Sequence, residues 1–265
     1  MNPTVASPLD VKLMNMTALV LLLVFVVLGG LAAARWASRQ PVFDIRAITV
    51  VGQVTHNNAL TLRANVAPRL SGTFFTVDLA RVRAAFEGAP WVRRAVVHRQ
   101  FPNRLQVVLQ EHQAVAYWGG EGDSRLINSY GEVFEANVGE IESDDTLPRL
   151  NGPEGQAAEV LAMYRQLAPR FDRLEQPLEW LELSGRGSWR ARLESGAVLE
   201  LGRGSVEAVD ARVQRFLQTL TQVASRYGRH AGSVESADLR HENGYAIRLR
   251  GVSTLSPDGP KLGQK

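Results

Sequence analysis

Five histidines, His56, His98, His112, His230 and His241, are the side chains best suited to proton transfer or metal binding near neutral pH. None belongs to an H-E-x-x-H pattern, and the chain has no cysteine, so zinc has no recognisable ligand set. No serine stands in a G-x-S-x-G elbow. Glu111-His112 joins an acid to a base at the end of a predicted strand and reads as a solvated edge pair. Glu140, Glu142, Asp144 and Asp145 read as a solvated acidic loop. Gly185-Arg186-Gly187-Ser188-Trp189 lacks the Walker lysine and does not open a helix. Gly202-Arg203-Gly204 precedes a helix and suits an anion at its N-terminus. Without a third glycine it reads as an ordinary strand-to-helix loop. The expectation is therefore no catalytic residue, no metal and no cofactor. Binding, not catalysis, is the chemistry to look for.

Charge narrows the class of partner. The net charge is +3 with a pI near 9.5, but the charges are interspersed and nearly all the basic ones are arginine. No Lys/Arg run marks a nucleic-acid arm, so no nucleic acid is expected. Arginine favours planar pairing with carboxylates. With 45% hydrophobic and 22% charged residues, the composition is that of a globular chain.

One stretch places this chain at a membrane. Met16 to Ala34 holds no charge and one hydroxyl side chain, on Thr17. As a helix it spans about 28 Å, close to the ~30 Å hydrocarbon thickness of a bilayer. A buried core helix and a cleaved signal peptide are the rival readings. The length of the run, with Arg35, Trp36 and Arg39 directly after it, favours an uncleaved anchor over residues 16–35. Residues 1–15 read as a disordered tail and 36–42 as a linker. The flanking charges do not decide the orientation. Gly29 and Gly30 suit close helix approach.

The first soluble region is predicted as strand, helix, helix, strand, strand over residues 43–112. Phe43 to Gly52 alternates as a strand ended by Gly52. Asn57-Asn58 opens a helix that Pro68 stops. Phe74 to Val77 reads as an extended link. Asp78 caps a second helix with Leu79, Val82 and Phe86 on one face. Trp91 to Phe101 and Leu105 to Leu109 form strands around the Pro102-Asn103 turn. A three-stranded sheet with two helices on one face encloses one small core.

That order resembles a POTRA module. The line Asp78-Leu79, Pro90-Trp91-Val92 and Val97 to Leu105 (VHRQFPNRL) is similar to the FtsQ/DivIB family of bacterial cell-division proteins.

From Gln113 the texture changes to short strands with polar turns. Val115 to Trp118, Leu126 to Asn128 and Val133-Phe134 are strands. A helix from about Glu154 carries Val160, Leu161, Tyr164, Leu167 and Phe171, and Pro169 ends or kinks it. Leu178 to Leu183 and Ser188 to Leu193 are joined through Gly185-Arg186-Gly187, and Ala197 to Leu201 follows. Val206 to Tyr227 holds the 3.6-residue period, with Gly228 as its stop. Glu242-Asn243-Gly244 joins Ala237–His241 to Tyr245–Arg250 as a final hairpin, Asn-Gly between alternating strands being a hairpin signal. Residues 252–265 read as a disordered tail.

The resemblance extends over this region through Val115 to Trp118, Leu147 to Gly152, Ser188-Trp189, Leu199 to Arg203 and Asp238 to Gly244. The predicted class is α+β: a single N-terminal transmembrane helix, a POTRA module of βααββ order, then a mostly antiparallel β domain with flanking helices over residues 113–251.

Read from the residues alone, the last strand can sit on a sheet edge and accept a partner strand. Arg248 and Arg250 serve equally well as gatekeepers against such pairing, and the sequence leaves both open. The resemblance implies the first. It implies a non-enzymatic inner-membrane scaffold of the division septum, with a short cytoplasmic N-terminus and the bulk periplasmic. It further implies that the C-terminal edge accepts a strand of FtsB, which comes with FtsL, and that the scaffold helps recruit and regulate septal peptidoglycan synthesis. Its contact positions fall on Arg240, His241, Asn243, Gly244 and Leu249, with Tyr245 and Ile247 as apolar neighbours. Arg186, just before Ser188-Trp189, pairs with an acidic residue of FtsB. The chain departs from the family pattern at His241, where relatives carry Tyr, and at Leu249, where some carry Trp. Other division proteins are expected at the POTRA module, and lipid at the anchor. Two rival readings remain. A POTRA factor of envelope assembly or secretion needs a C-terminal barrel, which has no place after Arg250. A membrane-anchored cell-wall enzyme needs a convergent catalytic set, which the motif search did not supply.

Overall fold

The computed structural model describes residues 9–52, 54–56, 62, 66, 71–120, 122–141, 147–241 and 244–252. The chain divides into two compact units, Met1–Glu111 and His112–Lys265.

The first unit opens with one long helix, α1 (Leu9–Ser38). It takes in the second half of the expected tail and the start of the expected linker. A helix of its 30 residues is about 45 Å long, enough for the hydrocarbon layer and both headgroup layers. Its Leu, Val and Phe side chains are exposed along its length, with Phe25 at 75%. Such a surface suits the hydrocarbon of a bilayer. Immediately after it, Pro41–Phe43 forms a 3-10 turn, with Asp44 N–H donating to the Pro41 carbonyl. The expected first strand therefore starts later, as β1 (Ala47–Gly52), because Phe43 belongs to that turn and Asp44 bridges Thr73.

Residues 73–77 are a hydrogen-bonded turn, not an extended link. The Thr76 and Val77 N–H groups both donate to the Thr73 carbonyl. Asp78 caps α2 (Leu79–Glu87), its carboxylate accepting from Ala80 and Arg81 N–H. Trp91 stands outside the following strand with φ +67°, and β2 (Val92–Gln100) pairs with β3 (Arg104–Glu111). The sheet order is β1-β3-β2, with β1 parallel to β3. β3 is central, so Leu105, Val107 and Leu109 are fully buried beneath Val82, Ala85 and Phe86. The expected helix between Asn57 and Pro68 falls mostly outside the described residues; Leu62 and Val66 within it are helical and buried.

Glu111 corrects the reading of a solvated edge pair. It is 5% exposed. Its carboxylate accepts from Thr55 N–H at 2.9 Å and His56 N–H at 3.1 Å, while the His56 ring stacks on Trp91. His112 stacks on Phe134 and hydrogen-bonds to Asn128. Each side chain belongs to a different unit, and neither pairs with the other in solvent.

The second unit is a nine-stranded sheet with two helices. Its strands are β4 (Ala114–Trp118), β5 (Arg125–Asn128), β6 (Val133–Glu135), β7 (Arg149–Asn151), β8 (Leu178–Leu183), β9 (Ser188–Leu193), β10 (Val198–Arg203), β11 (Val234–Asp238) and β12 (Ala246–Leu249). The helices are α3 (Ala157–Asp172) and α4 (Val206–Arg226). The order β12-β11-β10-β9-β8-β7-β4-β5-β6 puts β12 and β6 at the edges. Five pairings are antiparallel; β4–β7, β7–β8 and β10–β11 are parallel.

Alternation builds the core: Leu181 and Leu183, Trp189 and Ala191, and Leu199 and Leu201 point inward. They meet Val160, Leu167 and Phe171 of α3 and Val209, Val213, Phe216 and Leu220 of α4. Pro169 lies inside α3 without ending it there, and Phe171 beyond it is fully buried. That burial outweighs one lost backbone bond in the last turn. The acidic stretch 142–146 lies outside the described residues.

Candidate partner-binding site

The chain reaches the sheet edge through a longer connection than Asn243-Gly244 suggests. Asp238 faces Ala246 in the β11–β12 pair, so residues 239–245 form the link. The Leu239 N–H donates to the Glu200 carbonyl, which carries the chain past β11 along β10 before it returns. Glu242 and Asn243 lie outside the described residues, so the structure does not place Asn243.

Strand period then divides the side chains of the last strand. Tyr245, Ile247 and Leu249 share the inward face. The Tyr245 hydroxyl hydrogen-bonds to Thr219 Oγ1 at 2.7 Å, and its ring meets Phe216 edge-on at 5.0 Å. Ile247 is half-buried against the same core. Leu249 is 5% exposed within that core. The apolar contacts expected from these three side chains are thus taken largely by the protein's own α4 and core. Leu249 in particular is a core residue, because the alternation that brings β12 onto the sheet turns it inward.

The backbone is what the edge presents. Among the described residues no strand lies beyond β12. Both sequence candidates for gatekeeping are engaged within the unit. Arg248 lies against Glu235 on β11, 3.3 Å away, and Arg250 donates to the Ser195 carbonyl.

Beside this edge lies a groove of about 480 Å³ lined by Arg186, Arg203, Arg212 and Arg240 with Ser184, Ser188 and Gly202. Arg186 stands exposed on the β8–β9 turn and Arg240 just after β11. Arg203 ends β10, and Arg212 comes from the second turn of α4. Gly202 lets them converge: its φ is +81°, and a Cβ there would meet Arg240 Cγ at 3.0 Å and the Arg212 guanidinium at 3.2 Å. His241 is exposed next to Arg240, and Gly244 is half-buried with open space where a Cβ would stand.

Electrostatics separates the four guanidiniums. Asp238 grips Arg240 through Nε at 2.9 Å and a terminal nitrogen at 2.5 Å, and also accepts its backbone N–H at 3.0 Å. The Arg240 guanidinium holds the Asp238 carboxyl down at about 2 and is itself pushed up in return. Arg212 donates to the Arg203 carbonyl, and desolvation lowers its pKa. Its Nε is buried with no hydrogen-bond partner among the described residues. Asp238 pairs with Arg240, and Glu200 also raises the Arg240 pKa through its charge. The N-terminus of α4, capped by Ser205, adds partial positive charge close by.

Of the four arginines that line the groove, the resemblance named Arg186 and Arg240; Arg203 and Arg212 were not among the expected residues. The Gly202-Arg203-Gly204 loop, read as a strand-to-helix connection, contributes Gly202 and Arg203 to the lining. Among the described residues no three His, Asp or Glu side chains gather closely enough to hold a metal ion.

Comparison with known proteins accounts for nearly the whole chain. Residues 43–112 match the family model of the FtsQ-type POTRA domain. Residues 116–240 match that of the C-terminal part of the cell division protein FtsQ/DivIB. The chain is 40% identical over 248 residues to the cell division protein FtsQ of Burkholderia pseudomallei, covering 93% of this chain and 96% of that protein. To the protein of the same name from Thiomonas arsenitoxydans it is 38% identical, covering 92% and 89%. For that from Bordetella pertussis the identity is 37%, covering 91% and 92%.

Proposed function

Because the chain belongs to the FtsQ/DivIB family of cell-division proteins, we propose that it is a non-enzymatic, single-pass scaffold of the bacterial divisome whose C-terminal edge captures FtsB together with FtsL. Its place is the inner membrane at the division septum, with the N-terminus cytoplasmic and both soluble units periplasmic. Through that capture it helps recruit and regulate the enzymes of septal peptidoglycan synthesis.

The observation that carries this reading is the open edge of β12 lying beside four converging arginines. A partner strand added to the four-residue β12 makes about four backbone hydrogen bonds at about 0.5–1.5 kcal/mol net each. Association costs about 4–15 kcal/mol in lost freedom, so the strand alone is marginal. An acidic side chain seated among Arg186, Arg203, Arg212 and Arg240 supplies a second, charge-assisted contact. The contact residues are then Arg186, Arg240, His241 and Gly244 with the β12 backbone. Tyr245, Ile247 and Leu249 support that backbone from below. Asn243 belongs to the same connection.

The test is binding of the full chain in lipid nanodiscs to the FtsB–FtsL pair of the same organism. Arg186→Glu removes one cation and adds a repelling carboxylate at an exposed position. It is expected to weaken binding more than tenfold while leaving the unfolding midpoint unchanged. Parent-like affinity in that variant, or no binding by the parent, overturns the assignment.

A further inference from the structure

We propose that the membrane-proximal end of the first unit lies in the bilayer's headgroup layer, held there by exposed aromatic and apolar side chains ringed by arginines. The proposal rests on α1 spanning the bilayer.

Topology puts three separate stretches at one end. β1 follows α1 after the short stretch that holds the Pro41–Phe43 turn, and its first residue, Ala47, lies beside Arg104 in the parallel pair with β3. The β2–β3 tip, Phe101-Pro102-Asn103, is therefore at the end where the chain arrives from the membrane. Arg46 N–H donates to the Asn103 carbonyl at 3.0 Å. The 73–76 turn is tied to the same place. Thr73 Oγ1 donates to the Ser38 carbonyl at the end of α1 at 2.6 Å, and Phe74 N–H donates to the Phe43 carbonyl at 2.7 Å.

These stretches carry an apolar surface that is exposed among the described residues. Phe43 meets Phe75 edge-on at 4.9 Å, Phe75 meets Phe74 at 5.2 Å, and Phe74 meets Phe101 at 6.2 Å. Phe74 is buried as the keystone of this chain of rings, but Phe101 is 77% exposed, Val42 68% and Phe75 49%. Trp36, on the last turns of α1, is 70% exposed. Arg99 is committed inward, donating to the Phe74 and Val77 carbonyls, and so fixes the turn that presents Phe75. Arg35, Arg39, Arg46 and Arg104 are exposed around the same end.

Height decides the occupant. Ser38 lies four residues beyond Ala34, about 6 Å along the helix axis. A headgroup layer is about 5–8 Å deep on each side of the hydrocarbon. The Ser38–Thr73 hydrogen bond therefore sits within that layer, and the rings beside it share its depth. Aromatic side chains partition to this zone, and arginines meet lipid phosphates there. The patch is continuous with the surface of the spanning helix, which makes lipid its occupant.

The chain has no cysteine, so single labels report cleanly. The full chain would carry a nitroxide at Phe101→Cys, at Arg94→Cys on the opposite end of β2, or at Val24→Cys in mid-helix, reconstituted in phosphatidylethanolamine–phosphatidylglycerol vesicles. The proposal expects the label at 101 to be at least threefold less accessible to a water-soluble nickel chelate than the label at 94, with Val24 deepest. Equal accessibility at 101 and 94, with Val24 still protected, overturns it and leaves the anchor intact. Chelate access at Val24 overturns the anchor and the proposal together. Protection at 101 that appears only when other division proteins share the vesicles assigns the patch to a protein and overturns the lipid reading.

Discussion

In the first unit the last strand, β3, lies between β1 and β2 and has both backbone edges paired; in the second the last strand, β12, has only β11 beside it. The sequences of the edges differ to match. β2, an edge of the smaller sheet, carries Arg93, Arg94, His98 and Arg99 in nine residues. Charge of that density protects an edge from stray pairing. β12 reads Ala-Ile-Arg-Leu, and its one arginine rests on Glu235. The arginines differ as well. Arg99 in the first unit donates to two backbone carbonyls of its neighbouring turn, whereas Arg186, Arg203, Arg212 and Arg240 in the second line an open groove, Arg240 paired with Asp238.

This contrast can be broken most directly at Leu249. If β12 is an edge strand anchored by its inward face, Leu249→Asp puts a charge into the core beside Val234 and Ala237. It should cost about 3–5 kcal/mol of stability, read as a large fall in the urea midpoint of the second transition. An unchanged midpoint would mean that β12 is not packed on the sheet. The matching anchor in the first unit is Glu111, which holds the Thr55 and His56 N–H groups. Glu111→Ala leaves both donors without their acceptor and is expected to cost about 2 kcal/mol, confined to the first unit in hydrogen exchange.

The helix caps sharpen the comparison at smaller scale. Asp78 accepts from two N–H groups at 2.9 and 3.3 Å, Ser205 from one at 3.4 Å. Removing a cap costs about 0.5–2 kcal/mol. Asp78→Ala should fall in the upper part of that range and Ser205→Ala in the lower, by chemical denaturation. The smallest expected effect is pH dependence at Asp238. Its folded pKa, about 2, lies below the unfolded value of about 3.9. Its contribution is therefore complete above about pH 4 and is lost as pH falls towards 2. In thermal melts the gap between the parent and Asp238→Asn should close over that window. A gap that stays constant would detach Asp238 from Arg240.

Much of the fold was legible because it rests on local period and capping. The limits of β8 and β9, the inward residues of β3, the Asp78 cap and the long periodic helix α4 follow from alternation, the 3.6-residue stripe and side-chain acceptors beside free N–H groups. Where the reading missed, a distant contact had overruled the local signal. Glu111 next to His112 looked solvated, but a loop 55 residues earlier in the chain folds its N–H groups onto it. The strand before the last hairpin was expected to run to His241, but its pairing with β12 ends at Asp238, and Leu239 N–H donates to the Glu200 carbonyl of β10. Pro169 reads as an end or a kink of the helix; the burial of Phe171 carries α3 past it to Asp172.

The sequence by itself determined the apolar helix, the two-part soluble chain and the family, because each is written in contiguous composition or in motifs of fixed order. Tertiary structure alone decided which strand ends on an edge, which of Tyr245, Ile247 and Leu249 turn inward, and that Arg203 and Arg212 join Arg186 and Arg240. Those outcomes depend on sheet order and on a glycine at 202 that lets two guanidiniums approach. Neither leaves a periodic trace, since it is the packing of distant segments that sets them.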